Sequence, residues 1–440
     1  MAKTTLLMLV FLWTCVLGQL ATAQQFSEKD IDRSREHGIK MLKEVKEQIQ
    51  KDYYDPKFHG LDLNARFSVA AEKIKQATTG GQVLGIVAQA VLDLNDSHTV
   101  LIPPLREAVA VYGWKMQMIG EVCYITAVTP GSDAEAKGLK VGDRVIGLDG
   151  NEPTRETMWK MKYYYYGLRP KSHVLVTVQT PEGQQHETDV TTKLEKRQFY
   201  VGYDFITDLS DVSAELGSRE KHVPLFAEAG PDLIVYRFPS FDVDTDAVGK
   251  MMRKISGHKS LVLDLRGNPG GRVDVLERVV GYFFDREVKI GDFKRRKETK
   301  EIKVKPRTTD AFLGRLVVLV DSESGSAAEV FARLVQLEKR GTVVGDQSSG
   351  SVMESIRYDL EIFQGYRPVL YGLSVTVADI LMTDGKSLEN VGVTPDKVIL
   401  KGAADIRNHY DPTLSYAASL AGVTIDAQKA GAMFLPAPKH

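Results

Sequence analysis

A serine, Ser326, stands where a short Ser/Gly turn, residues 322–326, meets a helical apolar period. A hydroxyl there lies beside amides that the first helical turn leaves unpaired, and the helix dipole favours a developing oxyanion. That chemistry is nucleophilic attack on a carbonyl. The spacing has a second meaning. Ser326-x-x-Glu329 is the S-x-x-E pattern of a capping box, in which the hydroxyl bonds the amide three residues on. Ser326 alone leaves both readings open.

Three further stretches carry reactive or amide-rich groups. Leu94-Asn95-Asp96-Ser97-His98-Thr99 holds a histidine in a polar turn. Such a histidine is an exposed or capping residue, or a base that Asp96 and Ser97 can orient. Asp264-Leu265-Arg266-Gly267-Asn268-Pro269-Gly270-Gly271 places a glycine pair between a strand and a helix, leaving backbone amides bare. It does not fit the G-x-G-x-x-G or phosphate-loop patterns, which leaves a tight turn or an oxyanion hole. Glu389 sits in a turn-rich loop, residues 384–396.

The elements that must position these groups are legible. Residues 316–320 are a continuous apolar run and read as a strand buried on both faces. Residues 327–340 read as a helix with Val330, Phe331, Leu334, Val335 and Leu337 as its stripe and Gly341 as its stop. Residues 342–344 begin another strand. Upstream, 233–238 and 259–265 read as strands, 244–256 and 273–284 as helices, and 369–377 as a strand. Residues 199–230 read as a polar linker, and the charged stretch 285–306 as a solvated hairpin. Residues 25–94 read as two to four amphipathic helices that pack as a cap.

The chain has 440 residues, 43% hydrophobic and 26% charged, with a formal net charge of −1. These values describe an ordinary globular chain of two or three domains and argue against nucleic acid as a partner. Residues 1–23 read as a secretory signal: Lys3, an apolar stretch over 6–17, then Ala21-Thr22-Ala23 before Gln24. The expected location is therefore outside the cytoplasm, periplasmic or secreted, with no integral membrane segment once the signal is removed. Cys15 lies within the signal. Cys123 is left as a lone thiol with no activating neighbour in sequence. No His/Cys/carboxylate cluster has ligand spacing, so no metal or organic cofactor is expected.

Residues 109–195 change character, with strand-like runs at 122–128, 144–148 and 173–179. Val128-x-Pro130-Gly131-Ser132-x-Ala134, then Gly138-Leu139-x-x-Gly142-Asp143-x-Val145-Ile146 and Gly150, resembles a PDZ domain. That resemblance implies an extended peptide added to a sheet edge, with a carboxylate-binding loop near Tyr112, Gly113 and Trp114. This loop departs from the usual Gly-Leu-Gly-Phe type. Tyr163-Tyr164-Tyr165-Tyr166 reads as a partly packed helix end or as a peptide-contacting face.

Taken together and in order, the Asp96–Thr99 turn, the PDZ run, the Asp264 turn, Ser326-Ala327-Ala328-Glu329 and the Glu389 loop resemble the C-terminal processing peptidases. These are also called tail-specific proteases, and tricorn-like proteins are their relatives. The resemblance covers about residues 92–400. It implies an α/β fold: a crotonase-like αβ protease core, an inserted PDZ domain and an N-terminal helical domain. It implies Ser326 as nucleophile, with the amides of Ala327 and of Gly270 or Gly271 as the oxyanion hole. Those peptidases use a lysine 25 residues after the serine, where this chain has Ser351. The tricorn-like branch instead implies His98 as base, Ser97 or Ser351 in support and Glu389 as orienter.

The expected organisation is a signal at 1–23, a helical domain at 24–104, a PDZ domain at 105–196, a serine peptidase core at 197–410 and a tail at 411–440. The expected function is an exported serine endopeptidase acting on protein or peptide substrates. Whether it assembles into a homo-oligomer is open. The alternatives are an inactive homologue that binds peptides through the PDZ domain, and a crotonase-fold acyl-CoA enzyme, against which the PDZ insertion and the signal count.

Overall fold

A computed structural model describes residues 28–104, 108–196, 224–307, 309, 311–364 and 367–434. The stretch expected to be a signal, most of the 199–230 linker and the last six residues lie outside the described residues. The chain opens with three helices, α1 (Glu28–Asp52), α2 (Leu63–Gln76) and α3 (Gly80–Leu92), the last two capped by the side chains of Asp62 and Thr79. The buried stripe of α1 is Met41, Leu42, Val45 and Ile49, spaced for one helical face. Gly38 lets α3 approach, since a Cβ there would lie 2.2 Å from Val83 Cγ1. From α3 the chain passes through the 96–99 turn into β1 (Val100–Ile102).

An inserted unit follows. Strands β2 (Ala108–Val111) and, much later, β8 (Lys193–Lys196) pair antiparallel as its neck. Between them lie β3 (Trp114–Ile119), β4 (Val122–Val128), α4 (Asp133–Ala136), β5 (Arg144–Leu148), α5 (Arg155–Lys162), β6 (His173–Gln179) and β7 (Gln185–Thr191). Their sheet runs β3-β4-β5-β6-β7. A π-helical turn, Tyr163–Leu168, follows α5 and buries Tyr163 and Tyr165, which makes the tyrosine run a packed helix end. The alternation of β3 turns Trp114, Met116 and Met118 inward. Tyr112 and Trp114 are 5% and 6% exposed in this unit's core. The two rings pack inward, and Gly113 sits at the turn between them, with φ +78°.

The rest is a layered α/β unit. Strand β9 (Leu225–Glu228) lies where only linker was expected. It is followed by β10 (Leu233–Arg237), α6 (Thr245–Ile255), β11 (Ser260–Asp264), α7 (Val273–Phe283), β12 (Val288–Arg295), β13 (Thr299–Val304), β14 (Arg315–Val320) and α8 (Ala327–Leu337). Then come β15 (Thr342–Gly345), β16 (Met353–Gln364), β17 (Arg367–Met382), β18 (Lys397–Val398), α9 (Ala403–Arg407), α10 (Pro412–Leu420) and α11 (Ala427–Ala432).

Six strands form one sheet, β18-β15-β14-β11-β10-β9, parallel except for β9. Alternate residues of β10, β11 and β14 face opposite ways. Ile234, Leu261, Leu263 and Val318 meet α6, α7 and α8, while Val235, Val262, Val317 and Leu319 meet α10 and α11. The second sheet runs β1-β17-β12-β13, with β16 also on β17. The 285–306 stretch is thus not a free hairpin: β12 pairs with β17, and Val288, Ile290 and Phe293 are buried. The N-terminal helices share one apolar cluster with Tyr371, Leu373 and Val375 of β17.

Candidate active site

The parallel pairing of β11 and β14 sets Asp264 opposite Leu319, so the chain leaves both strands side by side. Ligand chemistry in such sheets belongs at these carboxyl ends. Two bonds lock the exits together: Ser324 Oγ donates to the Leu265 carbonyl at 2.8 Å, and the Gly325 amide donates to the Asn268 carbonyl at 2.8 Å. Ser326 follows with φ 51° and ψ −119°. A side chain held there costs about 1–3 kcal/mol and marks a position that the surroundings over-determine.

Only half of the capping box forms. Glu329 Oε2 accepts from the Ser326 amide at 2.9 Å, but the Ser326 hydroxyl makes no cap bond. Gly270 backs this serine. Its φ is +98°, and a Cβ on it would lie 2.5 Å from Ser326 Cβ.

The glycine pair divides its amides. Asn268 is fully buried; its Nδ2 donates to the Phe238 carbonyl at 2.7 Å and its Oδ1 accepts from the Gly270 amide at 2.8 Å. Gly270's amide is therefore engaged. Among the described residues, the amides of Gly271 and Ala327 donate to no protein acceptor. They flank the Ser326 turn from the two adjoining strand ends.

The histidine is held by a second set of bonds. Asp96 is 1% exposed. Its Oδ1 accepts from the His98 amide at 3.0 Å, the Thr99 amide at 2.7 Å and Thr376 Oγ1 at 2.6 Å, and its Oδ2 accepts from the Tyr53 hydroxyl at 2.8 Å. Ser97 Oγ lies 2.7 Å from His98 Nδ1 and donates to Glu389 Oε2 at 2.9 Å. A hydroxyl has one proton. Donating it to Glu389 leaves its lone pairs to accept from Nδ1–H of His98. Glu389 also accepts from the Ser97 amide at 2.7 Å and from the Val352 amide at 2.8 Å. Burial pushes its carboxyl up to about 7 against those donors.

Residues 350–352 join the two sets. The Ser351 carbonyl accepts from the Ser326 amide at 2.9 Å, the Ser351 amide donates to Glu329 Oε2 at 3.0 Å, and the next amide, Val352, holds Glu389. Ser351 thus contributes its backbone to this junction. Glu329 is fully buried with five donors: the amides of Ser326, Gly350 and Ser351 and the hydroxyls of Ser348 and Ser349. Burial still pushes its pKa upward.

The structure brings Ser326, Gly270, Gly271, Ala327 and Ser351 to one junction and links Ser97, His98 and Glu389 to it. Tyr112, Gly113 and Trp114 belong to the inserted unit's own core and turn. Sequence reasoning missed Asn268, although an asparagine two residues before a glycine is a known turn former. It also missed Thr376, for which no local signal exists. Among the described residues no group of three or more His, Cys, Asp or Glu could hold a metal ion.

Residues 233–399 match the family described as Peptidase family S41. The chain is 24% identical over 357 residues to a tail-specific protease of Haemophilus influenzae, an alignment that covers 76% of this chain and 48% of that protein. It is 24% identical over 367 residues to a chloroplastic C-terminal processing peptidase of Tetradesmus obliquus, covering 79% of this chain and 74% of that one. The chain therefore spans about half the length of the first of these relatives. In overall fold it is similar to mature CPAF complexed with lactacystin, with a TM-score of 0.63 at 15% identity, over 85% of this chain and 95% of that one. Over residues 233–399 the chain matches Peptidase family S41, and the relatives it resembles along most of its length are named as tail-specific and C-terminal processing proteases.

Proposed function

We propose that this chain is an exported serine endopeptidase that cleaves unfolded or tail-presented protein substrates, with Ser326 as nucleophile and His98 as base. The observation that carries this reading is the chain of bonds Glu389–Ser97–His98, closed onto the Ser351–Val352 backbone that also holds Ser326. It supplies a base where the family resemblance would have placed a lysine and this chain has Ser351. An unassisted serine hydroxyl is a poor nucleophile near neutral pH.

Ser326 Oγ bonds to the substrate carbonyl carbon as its proton passes to His98 Nε2. The carbonyl oxygen takes the electron pair and is met by the amides of Gly271 and Ala327. The imidazolium is stabilised through Ser97 by Glu389. It returns the proton to the leaving amine as the C–N bond breaks, and water then repeats the sequence on the acyl-enzyme. Gly270 serves as the small residue behind Ser326.

The parallel sheet with helices on both faces supports a crotonase-like αβ core, and the 128–150 motif supports a PDZ-type insertion. Export rests on the 1–23 signal pattern. The alternative is an inactive homologue that binds peptides through the inserted unit.

The test is cleavage of unfolded casein by the chain from Gln24 onward, with Ser326→Ala, His98→Ala and Ser351→Ala in parallel. Wild type and Ser351→Ala should cut, because Ser351 acts through its backbone, while Ser326→Ala and His98→Ala should be silent. Activity in His98→Ala would remove His98 as base. No cutting and no covalent label on Ser326 in wild type would leave the inactive homologue.

A further inference from the structure

Strand β3 is an edge of the inserted sheet, and strand addition to such an edge is how PDZ-type domains hold peptides. Here the stretch of that edge at Gln117 and Met118 is taken. Ser322 Oγ donates to the Met118 carbonyl at 2.6 Å, and Gln117 Nε2 donates to Asp321 Oδ2 at 2.8 Å. From the helix side, Lys162 at the end of α5 meets Glu323 Oε1 at 2.5 Å. The turn 321–323 of the protease unit thus touches both the strand edge and the helix. Burial alone would lower the Lys162 pKa, but Glu323 outweighs it and raises it, so the ammonium stays charged.

A second clamp lies beyond the strand. Asp346 Oδ2 accepts from the Gly120 amide at 2.8 Å and pairs with Arg155 at 2.5 Å. Arg155 also bonds the carbonyls of Gly120 and Gln347.

The occupying turn is the one that delivers the nucleophile, since Ser326 follows Glu323 by three residues. Asp321 is the node. Its Oδ1 accepts from the Gly267 amide at 2.9 Å and the Glu323 amide at 3.0 Å, its own amide donates to Ser324 Oγ at 2.9 Å, and Gln117 holds its other oxygen. One carboxylate therefore joins the inserted domain, the turn that carries the Gly271 amide and the turn that carries Ser326.

We propose that Gln117 and Lys162 are positioning residues for the nucleophile and oxyanion turns, and that the edge groove of the inserted domain is filled by the chain's own turn 321–323 instead of receiving a substrate tail. The kinetic part rests on the peptidase reading above; the structural part does not.

The experiment uses the chain from Gln24 onward as wild type, Gln117→Ala, Lys162→Met, Lys162→Arg and the control Lys171→Ala, whose partner Asp149 lies within the inserted domain. Casein turnover and amide hydrogen exchange are measured on each. Gln117→Ala and Lys162→Met should lose about 10-fold in kcat with KM within about 2-fold, because the turns are misplaced and not the substrate. Lys162→Arg should restore most of the rate, and Lys171→Ala should match wild type. Exchange in peptides spanning 265–271 and 321–327 should rise about 10-fold in the two impaired variants and stay unchanged elsewhere. A casein-derived peptide with a free C-terminal carboxylate, and its amide, should change neither turnover nor exchange in wild type. Unchanged kcat and exchange in Gln117→Ala and Lys162→Met would overturn the positioning role. Faster turnover or faster 321–327 exchange with the carboxylate peptide alone would overturn the filled groove. If wild type cuts nothing, the peptidase reading fails, and the exchange measurement still decides this one.

Discussion

Two glutamates lie on either side of residues 350–352 and do different work. Glu329 is fully buried in the first turn of α8 and holds five donors, four of them within the two turns that frame Ser326 and Ser351 and the fifth on Ser348. Glu389 is partly buried on a loop and holds three contacts, two amides and the Ser97 hydroxyl. The first carboxylate fixes backbone. The second reaches the His98 ring through one hydroxyl, and burial pushes its carboxyl up to about 7.

The strongest way to break this comparison is to remove what Glu389 serves. His98→Ala should lower kcat/KM by about 1,000-fold or more while leaving the urea midpoint near that of wild type. Glu329→Gln should do the reverse in kind. It places an amide against backbone N–H groups that need an acceptor, at a cost of about 3 kcal/mol in unfolding free energy, read by urea titration.

Glu389→Gln sharpens the contrast. Its kcat/KM near neutral pH should fall about 100-fold. The pH dependence has a definite sign. A carboxyl raised from 4.5 to about 7 in the folded state contributes stability that is present below 4.5 and lost as pH rises through about 7. Glutamine has no such titration. The variant should therefore gain on wild type by on the order of 2 kcal/mol between about pH 5 and about pH 8, measured by urea unfolding at both. Ser97→Ala should give the smallest effect, about 10-fold in kcat, with partial return in Ser97→Thr, because water can replace the hydroxyl between Glu389 and the ring.

Much of this was legible in local pattern. The apolar run at 316–320 became β14 and the stripe after Ser326 became α8, whereas the roles expected of Ser326, His98 and Glu389 came from the family resemblance and not from local pattern. What was not legible depends on distance along the chain. Glu389 meets Ser97 across 292 residues, and Asp96 meets Thr376 across 280. One local misreading has a physical cause. The 285–306 stretch is charged along its exposed face, which masks the alternate buried residues Val288, Ile290 and Phe293.

The most direct measurement of the central claim is covalent labelling by a fluorophosphonate, followed by intact mass and peptide mapping. Wild type should take a single label on Ser326, at a rate that falls as pH drops below about 7. Ser326→Ala should take none, and His98→Ala should react only at the background rate of an unassisted hydroxyl. A label on another serine, or His98→Ala labelling as fast as wild type, would contradict the Ser326–His98 assignment.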